Sequence, residues 1–485
     1  MNYSERRALV DWLNQVELDY PVNSWVVNGV KIWPLIKMHL FFSIFYPAIH
    51  NRSTWIRLKL FLKRMWLAVR GISAFFFRLQ LKFLKAPVVF AGAGAHRVTY
   101  QDFRFNRYFD PMLDFLEENQ VRSYLFEYQG ESSNVYKPGR VVELEKLFPY
   151  FYCRSFFHRG VIQNKESLDK VIFAASEKWG ISVPEVEKSL KERVDQVFAW
   201  SNLFHWIFSK TQPEYSVGLC YYKDQMLGMN LACSRLGIKS VDMQHGLSGD
   251  LHAAYSGFNR APDIGYELLP DIFWTWDAGS STCINNWISR TGTRFHKVVQ
   301  GGNPWIEYLM SDPALERAVK LPEDIIVYAL QPVYPIIEDH IMVAIKKTAG
   351  KYNWWLRLHP RSSQAFRDDL ERLLLQHEIF DKVEVALATS LPLPFIFKNT
   401  VAHISKFSGT IIEASICGVI SIIVDELGVE SSQDQIESGK AFSYLGDDAD
   451  AVISLIEACS EKCLSKLSNV TYKDVMRGEF QFIKT

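Results

Sequence analysis

The sequence has no Cys-x-x-Cys pair, no apolar run long enough to cross a membrane and no net charge. Its seven cysteines are an odd number without paired spacing, which excludes a disulfide framework and predicts reduced thiols in the cytosol. No stretch reaches the roughly 18 apolar residues that a membrane-spanning helix needs, and the N-terminus lacks the apolar core of a secretory signal. Because 54 basic residues balance 54 acidic ones, the total charge does not predict a nucleic-acid partner.

No Asp-x-Asp motif lies between two predicted strands, and the acidic residues there are scattered. We therefore predict no metal ion and no other cofactor. At 485 residues the chain exceeds what one hydrophobic core supports, so two or three domains are expected. Its 48% hydrophobic and 22% charged residues are ordinary for a folded protein.

The segment 51–85 contains no acidic residue. On a helical projection its basic side chains fall within an arc of roughly 160°, opposite its apolar side chains. The basic residues are Arg52, Arg57, Lys59, Lys63, Arg64, Arg70, Arg78, Lys82 and Lys85. The apolar residues are Leu58, Phe61, Leu62, Met65, Val69, Phe76 and Phe83.

This pattern favours a basic amphipathic helix that lies on an anionic membrane surface. Solvated helix faces usually mix charges of both signs, and this one does not. The protein would then be cytoplasmic and peripheral at the inner face of the plasma membrane. The alternative is a helix packed on its own domain, with Gly71 as the residue where it would break.

From residue 86 onwards, buried strands alternate with amphipathic helices, which predicts parallel pairing with helical crossovers. A second series of the same kind begins near residue 322. We predict an α/β chain with two doubly wound Rossmann-type domains facing a cleft, preceded by the basic helical region. The predicted divisions are a helical region 1–85, a first domain 86–304, a linker 305–322, a second domain 323–470 and a tail 471–485.

The first motif, "MQHGLSG", follows the predicted strand "IKSVDM". A neutral His245 at the carboxyl end of this strand could take a proton from a hydroxyl near pH 7. Gly246 and Gly249 would let backbone N–H groups approach a ligand closely. The alternative is a capped turn with a hydrogen-bonded histidine. Nearby groups that could serve as the base instead are Asp242, Asp250 and His252.

The second motif, "LRLHPR", ends another predicted strand. His359 lies between Arg357 and Arg361, a combination that suits the oxygens of a diphosphate. The alternative is an ordinary β-turn with surface arginines.

The third motif is "SKFSGTIIEASICGV", where a helix begins after the predicted strand "VAHI". Ser408, Gly409 and Thr410 would present backbone N–H groups to a phosphate, and Glu413 could accept hydrogen bonds from ribose hydroxyls. The alternative is a capping box formed by Thr410 and Glu413.

Together the three motifs describe a cleft with a base on one domain and a nucleotide diphosphate on the other. Their combination resembles the GT-B-type glycosyltransferases of bacterial capsule and O-antigen biosynthesis. More distantly, it is similar to the CDP-glycerol glycerophosphotransferases and the bacterial sialyltransferases. The resemblance covers most of the chain through short matches, which are "NGVKIWPLI", "QHGLSGDLHAAYS", "LPDIFWTW", "VVQGGNP", "LRLHP" and "SGTIIEA".

The resemblance implies roles for particular residues. His245 would be the base, His359 and Ser408–Thr410 would hold the nucleotide phosphates, and Glu413 would bind the ribose. The loop Gly301–Pro304 would close the first domain before the linker. Acceptor or cleft loops would contain Gln244, Gly246, Gly302 and Asn303. The sequence departs from the polyol-phosphate enzymes, which have Trp before the His-Gly pair and two adjacent serines in the last motif. Here those positions are Gln244 and Ser408–Gly409.

We therefore predict a metal-independent glycosyltransferase that uses a nucleotide sugar and a lipid-linked polysaccharide acceptor. One alternative is a CDP-polyol phosphotransferase, which would release CMP. Another is a membrane-surface assembly factor that keeps the fold without the chemistry.

Overall fold

The computed structural model consists of two parallel β-sheets, each covered by apolar clusters on both faces. The described residues are 3–45, 70–76, 78–79, 81–130, 133–155, 160–246, 249–310, 317–461 and 471–480. Within these ranges, no helix is both long and apolar enough to span a bilayer. The predicted pair of doubly wound α/β domains is confirmed.

The first described elements are two helices and a short hairpin that belong to the core of the first domain. They are α1 (Tyr3–Asp19), β1 (Val26–Val27), β2 (Val30–Lys31) and α2 (Trp33–Phe45). Trp25, Trp33 and Ile36 are buried in the same apolar cluster as Val88 and Phe90 of the first sheet. The core of the first domain therefore includes residues on the N-terminal side of the predicted division at residue 85.

The first sheet has seven parallel strands in the order β11-β10-β9-β8-β3-β6-β7, and β4 and β5 form a separate antiparallel hairpin. In chain order the elements are β3 (Val88–Ala93), β4 (Arg97–Tyr100), β5 (Phe103–Asn106), α3 (Asp110–Glu118), β6 (Ser123–Tyr128), β7 (Val141–Glu143), α4 (Phe148–Ser155), α5 (Lys165–Trp179), α6 (Val183–Thr211), β8 (Tyr215–Leu219), α7 (Asp224–Leu236), β9 (Lys239–Met243), β10 (Ile272–Thr275), α8 (Ala278–Thr291) and β11 (Lys297–Gln300).

The second sheet has six parallel strands in the order β14-β13-β12-β15-β16-β17. Its part of the chain contains α9 (Pro304–Met310), β12 (Ile325–Ala329), α10 (Asp339–Thr348), β13 (Asn353–Arg357), α11 (Gln364–Gln376), β14 (Val383–Glu384), α12 (Ala386–Ser390), α13 (Leu393–Ile396), β15 (Thr400–Ser405), α14 (Thr410–Ile416), β16 (Ser421–Ile423), α15 (Glu426–Ser431), α16 (Gln433–Glu437), β17 (Ala441–Ser443), α17 (Ala449–Glu461) and α18 (Tyr472–Arg477).

Strand order reverses once in each sheet, between β3 and β8 in the first and between β12 and β15 in the second. At such a reversal the loops leave the sheet in opposite directions and open a crevice at the carboxyl ends of the strands. The three sequence motifs follow β9, β13 and β15, which lie at or next to these reversals.

The chain returns to the first domain after the second sheet. In the predicted tail, Tyr472 and Met476 of α18 are buried in the apolar cluster of the first domain. The ring of Phe480 stacks on Trp274 with centroids 5.5 Å apart. In the predicted linker, Trp305 and Leu309 of α9 pack on the β4–β5 hairpin.

Only part of the basic segment falls within the described residues, because 51–69, 77 and 80 lie outside them. Residues 70–76 and 78–79 are helical. The projection of one helix as far as Lys85 is wrong for residues 81–85, which have no helical structure. There, Leu81 and Phe83 pack on the first domain, and the N–H of Leu84 donates to Tyr124 Oη at 3.2 Å, so the chain is already directed into β3.

Candidate functional site

The turn after β9 is held by the side chain of Gln244. Its Nε2 donates to the carbonyl of Gly246 and to Ser280 Oγ, both at 2.8 Å. Its Oε1 accepts from the N–H of Trp276 at 2.7 Å. Gln244 is therefore buried and fully bonded, and it fixes the backbone that carries His245. A Cβ on Gly246 would meet no atom within 4 Å, whereas one on Gly249 would lie 2.8 Å from the carbonyl oxygen of Ser431. Close approach of a ligand to these two N–H groups stays a prediction.

His245 is half-buried, and one ring nitrogen is left unbonded. Its Nε2 lies 3.2 Å from Tyr222 Oη, its carbonyl accepts from Tyr108 Oη at 3.2 Å, and its Nδ1 is buried without a partner among the described residues. Burial, together with the charges of His252, His96 and Arg107, holds the pKa of His245 well below its usual range. The imidazole is therefore neutral at pH 7 and has a nitrogen available to accept a proton.

His252 lies beside His245 in the same aromatic surroundings. Its ring is 4.8 Å from that of Tyr255, and its Nδ1 is also buried without a partner among the described residues. Burial lowers the pKa of His252 to about 3. The structure thus brings two of the predicted candidate bases together, both as neutral imidazoles.

The two aspartates predicted as possible bases are placed differently. Asp242 is buried and accepts from the N–H of Tyr221 at 3.0 Å and from Tyr255 Oη at 2.8 Å. Burial raises its pKa to about 8. Asp250 is exposed, and its described side-chain contact is with Cys283 Sγ at 3.5 Å. No described hydrogen bond joins either carboxylate to His245.

The buried Lys37 of α2 anchors the loop that carries His252. Its Nζ lies 3.3 Å from Glu17 Oε1 and donates to the carbonyls of Ser256 and Gly257 at 3.1 and 2.7 Å. The N-terminal helices thus position the loop that carries His252, which could not be seen from the sequence.

In the second domain, Arg357 is held in place by carbonyl groups. Its Nη1 donates to the carbonyls of Ala388 and of Leu391, the latter at 2.7 Å. Burial lowers the pKa of Arg357 to about 10, which still leaves the guanidinium charged at pH 7. Because carbonyl oxygens carry no net charge, this cation remains able to bind an anion.

His359 forms the turn after β13, and Arg361 extends into solvent. The N–H of Ser362 donates to the carbonyl of His359 at 2.9 Å, which makes the β-turn of the alternative prediction, and the Nδ1 of His359 accepts from the N–H of Arg361 at 3.0 Å. Burial and the charges of Arg361 and Arg107 lower the pKa of His359 to about 4. This bond leaves Nε2 as the ring nitrogen that can carry the proton and donate it to a ligand.

The third motif does not form the predicted alternative of a capping box. The N-cap of α14 is Gly409, which has no side-chain cap, while Ser408 Oγ accepts from the N–H of Thr410 at 3.3 Å. Thr410 Oγ1 lies 3.1 Å from Nε2 of the buried His403. Glu413 therefore plays no part in capping.

Glu413 is buried with no hydrogen bond to its carboxylate among the described residues. Burial raises the pKa of Glu413, and the charges of Arg107 and Arg357 act in the opposite direction. A buried carboxylate between two cations, one from each domain, marks the place where the two halves of the cleft face each other.

Arg107 is the site residue that the sequence analysis missed. Its Nη2 donates to Tyr108 Oη at 2.8 Å. Its charge lowers the pKa of His245 on one domain and of His359 and Arg357 on the other. Arg107 follows the β4–β5 hairpin and not a strand of the main sheet, so the rule that ligands bind at strand ends does not identify it.

His96 was also missed, although a sequence signal existed. It follows the glycine turn "AGAG" at the end of β3, and its ring lies 5.8 Å from Tyr108. Its Nδ1 is buried without a partner in the described part of the chain. Burial and the charges of Arg107 and Lys223 lower its pKa to about 4.

Gly302 and Asn303 are used in packing. Gly302 has a φ of +70°, and its carbonyl accepts from Trp274 Nε1 at 2.9 Å. Asn303 Oδ1 accepts from the N–H of Trp305 at 3.1 Å and so begins α9. No described contact joins these two residues to His245, and their predicted role in acceptor binding stays a prediction.

The two domains contact each other through Asp277, the residue before α8, and through α1. Gln435 Nε2 donates to Asp277 Oδ2 at 2.6 Å and to Asp434 Oδ2 at 2.8 Å. Arg7 of α1 pairs with Glu430 of α15. The loop that follows His245 also meets the second domain, since a Cβ on Gly249 would lie 2.8 Å from the carbonyl oxygen of Ser431. The described residues contain no cluster of three or more metal-ligating side chains, and metal independence stays a prediction.

No family model and no curated protein matches the chain. Its fold is similar to that of solved structures. A putative UDP-N-acetylglucosamine 2-epimerase from Listeria monocytogenes has 12% identity and a TM-score of 0.50, over 82% of this chain and 97% of that one. The calicheamicin glycosyltransferase CalG4 has 12% identity and a TM-score of 0.40, over 83% and 94%. MurG from Acinetobacter baumannii has 11% identity and a TM-score of 0.39, over 77% and 93%.

At these identities the comparison shows the fold alone. The similarity to the Listeria structure extends over most of both chains, in agreement with the two parallel-sheet domains described above. The chain has the GT-B fold.

Proposed function

We propose that the protein is a glycosyltransferase that moves a sugar from a nucleotide-sugar donor to a lipid-linked surface-polysaccharide acceptor of the capsule or O-antigen type. The observation that carries this proposal is the division of the cleft. Neutral histidines with unbonded nitrogens lie on the first domain, and Arg357, a cation held by two carbonyl groups, lies on the second. A transfer reaction with a hydroxyl acceptor and an anionic leaving group requires this pair of environments.

On the donor side, Arg357 and His359 would bind the diphosphate oxygens, and Arg107 would reach them from the opposite domain. Arginine suits this role because its planar guanidinium makes paired hydrogen bonds to phosphate. Glu413 would accept hydrogen bonds from ribose hydroxyls. Fixed positive charge at the leaving diphosphate stabilises the negative charge that develops in the transition state.

On the acceptor side, His245 would take the proton of the attacking hydroxyl. The new glycosidic C–O bond forms as the bond between the sugar and the diphosphate breaks, and the nucleoside diphosphate leaves with the electron pair. The proton remains on the imidazole until solvent removes it. A positioned general base of this kind contributes about 10²–10⁴-fold to the rate.

Thermal unfolding with CMP, CDP, UDP, GDP and dTDP tests the donor site. A nucleotide at 100 times its Kd stabilises the folded state by about 2.7 kcal/mol. We expect one nucleotide to raise the melting temperature of the wild type, and Arg357→Ala to reduce the shift. Arg372→Ala removes an exposed arginine paired with Asp369 on α11 and is the matched control.

Three outcomes of this panel discriminate between the functions. A response to CMP alone, with CMP released from CDP-glycerol, would contradict sugar transfer and favour a polyol phosphotransferase. No response to any nucleotide would contradict the enzyme assignment. A response to UDP, GDP or dTDP followed by sugar transfer to a lipid-linked acceptor supports the proposal.

The proposal includes a location at the cytoplasmic face of an anionic membrane, where such an acceptor would be presented. The acid-free segment 51–85 supports it through its charge.

A further inference from the structure

The helical residues 70–76 and 78–79 are fixed on the first domain by one side. Ala74 is buried, and a Cβ on Gly71 would lie 3.4 Å from Cys153 Sγ of α4. The guanidinium of Arg78 lies over the rings of Tyr150 and Trp206, 4.7 and 5.7 Å from their centroids. These contacts decide which side of the helix faces outwards.

The outward side carries large apolar side chains. Ile72, Phe76 and Leu79 are 63%, 59% and 61% exposed, and Leu84 in the following extended stretch is 56% exposed. The spacings of four and three residues put the first three on one helix face. We call these four residues the exposed apolar face. Single exposed apolar residues are normal, but several large ones on one helix face are typical of an interaction site.

The charges around this face identify its partner. Lys82 and Lys85 are exposed beside Leu84, Arg154 is exposed on the neighbouring α4, and the whole segment 51–85 contains no acid. A face that combines Ile, Phe and Leu with lysines at its edge matches the boundary between the acyl chains and the anionic headgroups of a bilayer.

We propose that the exposed apolar face inserts into the interfacial layer of an anionic lipid bilayer, with Lys82 and Lys85 on the headgroup phosphates. The inference deepens the proposed membrane location and rests on it, but it does not depend on the sugar chemistry. It assigns membrane binding to the apolar side chains of four residues and not to basic charge alone.

Sedimentation of the full chain with vesicles tests this surface. The vesicles are phosphatidylcholine, with or without phosphatidylglycerol. We expect the wild type to bind the anionic vesicles, and the double variant Ile72→Ser with Phe76→Ser to bind about tenfold more weakly or worse, since each large apolar side chain contributes to insertion. Lys82→Ala and Lys85→Ala should each weaken binding by about fivefold at low salt. Ile264→Ser, at an equally exposed isoleucine (72%) outside this face, is the matched control.

The outcomes separate this inference from its alternatives. Absence of wild-type binding, or equal binding by the double variant, overturns it. A lower melting temperature of the double variant without lipid would show that the chain itself covers the face. A wild-type dimer that the double variant abolishes, without vesicle binding, would show a second copy as the occupant, and both results overturn it. A double variant that loses vesicle binding but keeps the nucleotide-induced shift in melting temperature supports the surface, whatever the outcome for sugar transfer.

Discussion

His245 and His252 on the first domain differ from His403 on the second in how many of their ring nitrogens are hydrogen-bonded. On the first domain, His245 and His252 are held by aromatic packing, and each leaves Nδ1 unbonded. On the second domain, the buried His403 has a partner at both nitrogens, Ser421 Oγ at 2.8 Å and Thr410 Oγ1 at 3.1 Å. A buried polar atom without a partner costs free energy. His245 and His252 thus carry a cost that the fully bonded His403 does not, and an unused ring nitrogen is what the proposed base requires.

The largest effect is expected from His245→Ala. Turnover should fall about 10²–10⁴-fold because the proton acceptor is removed, while the nucleotide-induced shift in melting temperature remains. The measurements are initial rates with the responding donor and thermal unfolding with its nucleotide. His205→Ala, at an exposed histidine on α6, serves as the control. Unchanged turnover in His245→Ala would remove the histidine from the mechanism.

The next effect is expected from Arg107→Ala, because Arg107 acts on both sides of the cleft. Loss of its charge should weaken nucleotide binding by about 10- to 100-fold, as for the loss of a charged hydrogen bond. It should also raise the pKa of His245, which Arg107 now helps to depress. Since the neutral imidazole is the active form, the acid limb of the pH–rate profile should move to higher pH. A limb that stays in place would contradict the electrostatic contact between them.

His403→Ala should affect stability more than His245→Ala does. Removal of the ring leaves the hydroxyls of the buried Ser421 and the half-buried Thr410 without their partner, which costs about 2 kcal/mol of unfolding free energy. Urea titrations of the two variants measure the difference. If both variants lost the same unfolding free energy, the bonding of the ring nitrogens would not distinguish the two histidines.

The pH dependence of the unfolding free energy gives a second test of the buried, fully bonded His403. Burial lowers the pKa of His403 to about 3, so between pH 6.5 and 3 the unfolded chain binds a proton that the folded chain does not. Stability due to this group is fully present above pH 6.5 and is lost as the pH falls. In His403→Ala, the slope of unfolding free energy against pH should be smaller in that interval by up to about 1.4 kcal/mol per pH unit. An unchanged slope would show that the histidine is already protonated in the folded state.

The smallest effect is expected from Arg361→Ala. This side chain is exposed, and an exposed charge contributes about 1 kcal/mol or less. Nucleotide affinity should therefore fall by no more than about fivefold, with a dependence on salt, whereas Arg357→Ala loses much more. Calorimetric titrations measure the nucleotide affinity of both variants. An equal loss of affinity would contradict the distinction between the buried guanidinium of Arg357 and the exposed one of Arg361.

Much of the architecture could be predicted because buried parallel strands appear in sequence as continuous apolar runs. For example, "VVFAGA" forms β3 and "NWWLR" forms β13, and Gly237 ends α7 in the left-handed conformation, at a φ of +68°. The motif histidines could be located as well, since the carboxyl ends of parallel strands meet at one edge.

The sequence by itself determined the two α/β domains and the edges where the chemistry would lie, because periodicity and turn residues act locally. Only the tertiary structure decided which polar atoms remain unbonded there. Gln244 looks like a ligand contact in sequence, but its amide bonds the N–H of Trp276 and the hydroxyl of Ser280, which are close to it only in the folded chain. Arg107 looks like a surface residue of a hairpin, but its charge acts across the cleft. Burial and the field of distant charges depend on where other segments pack, and no local pattern records that.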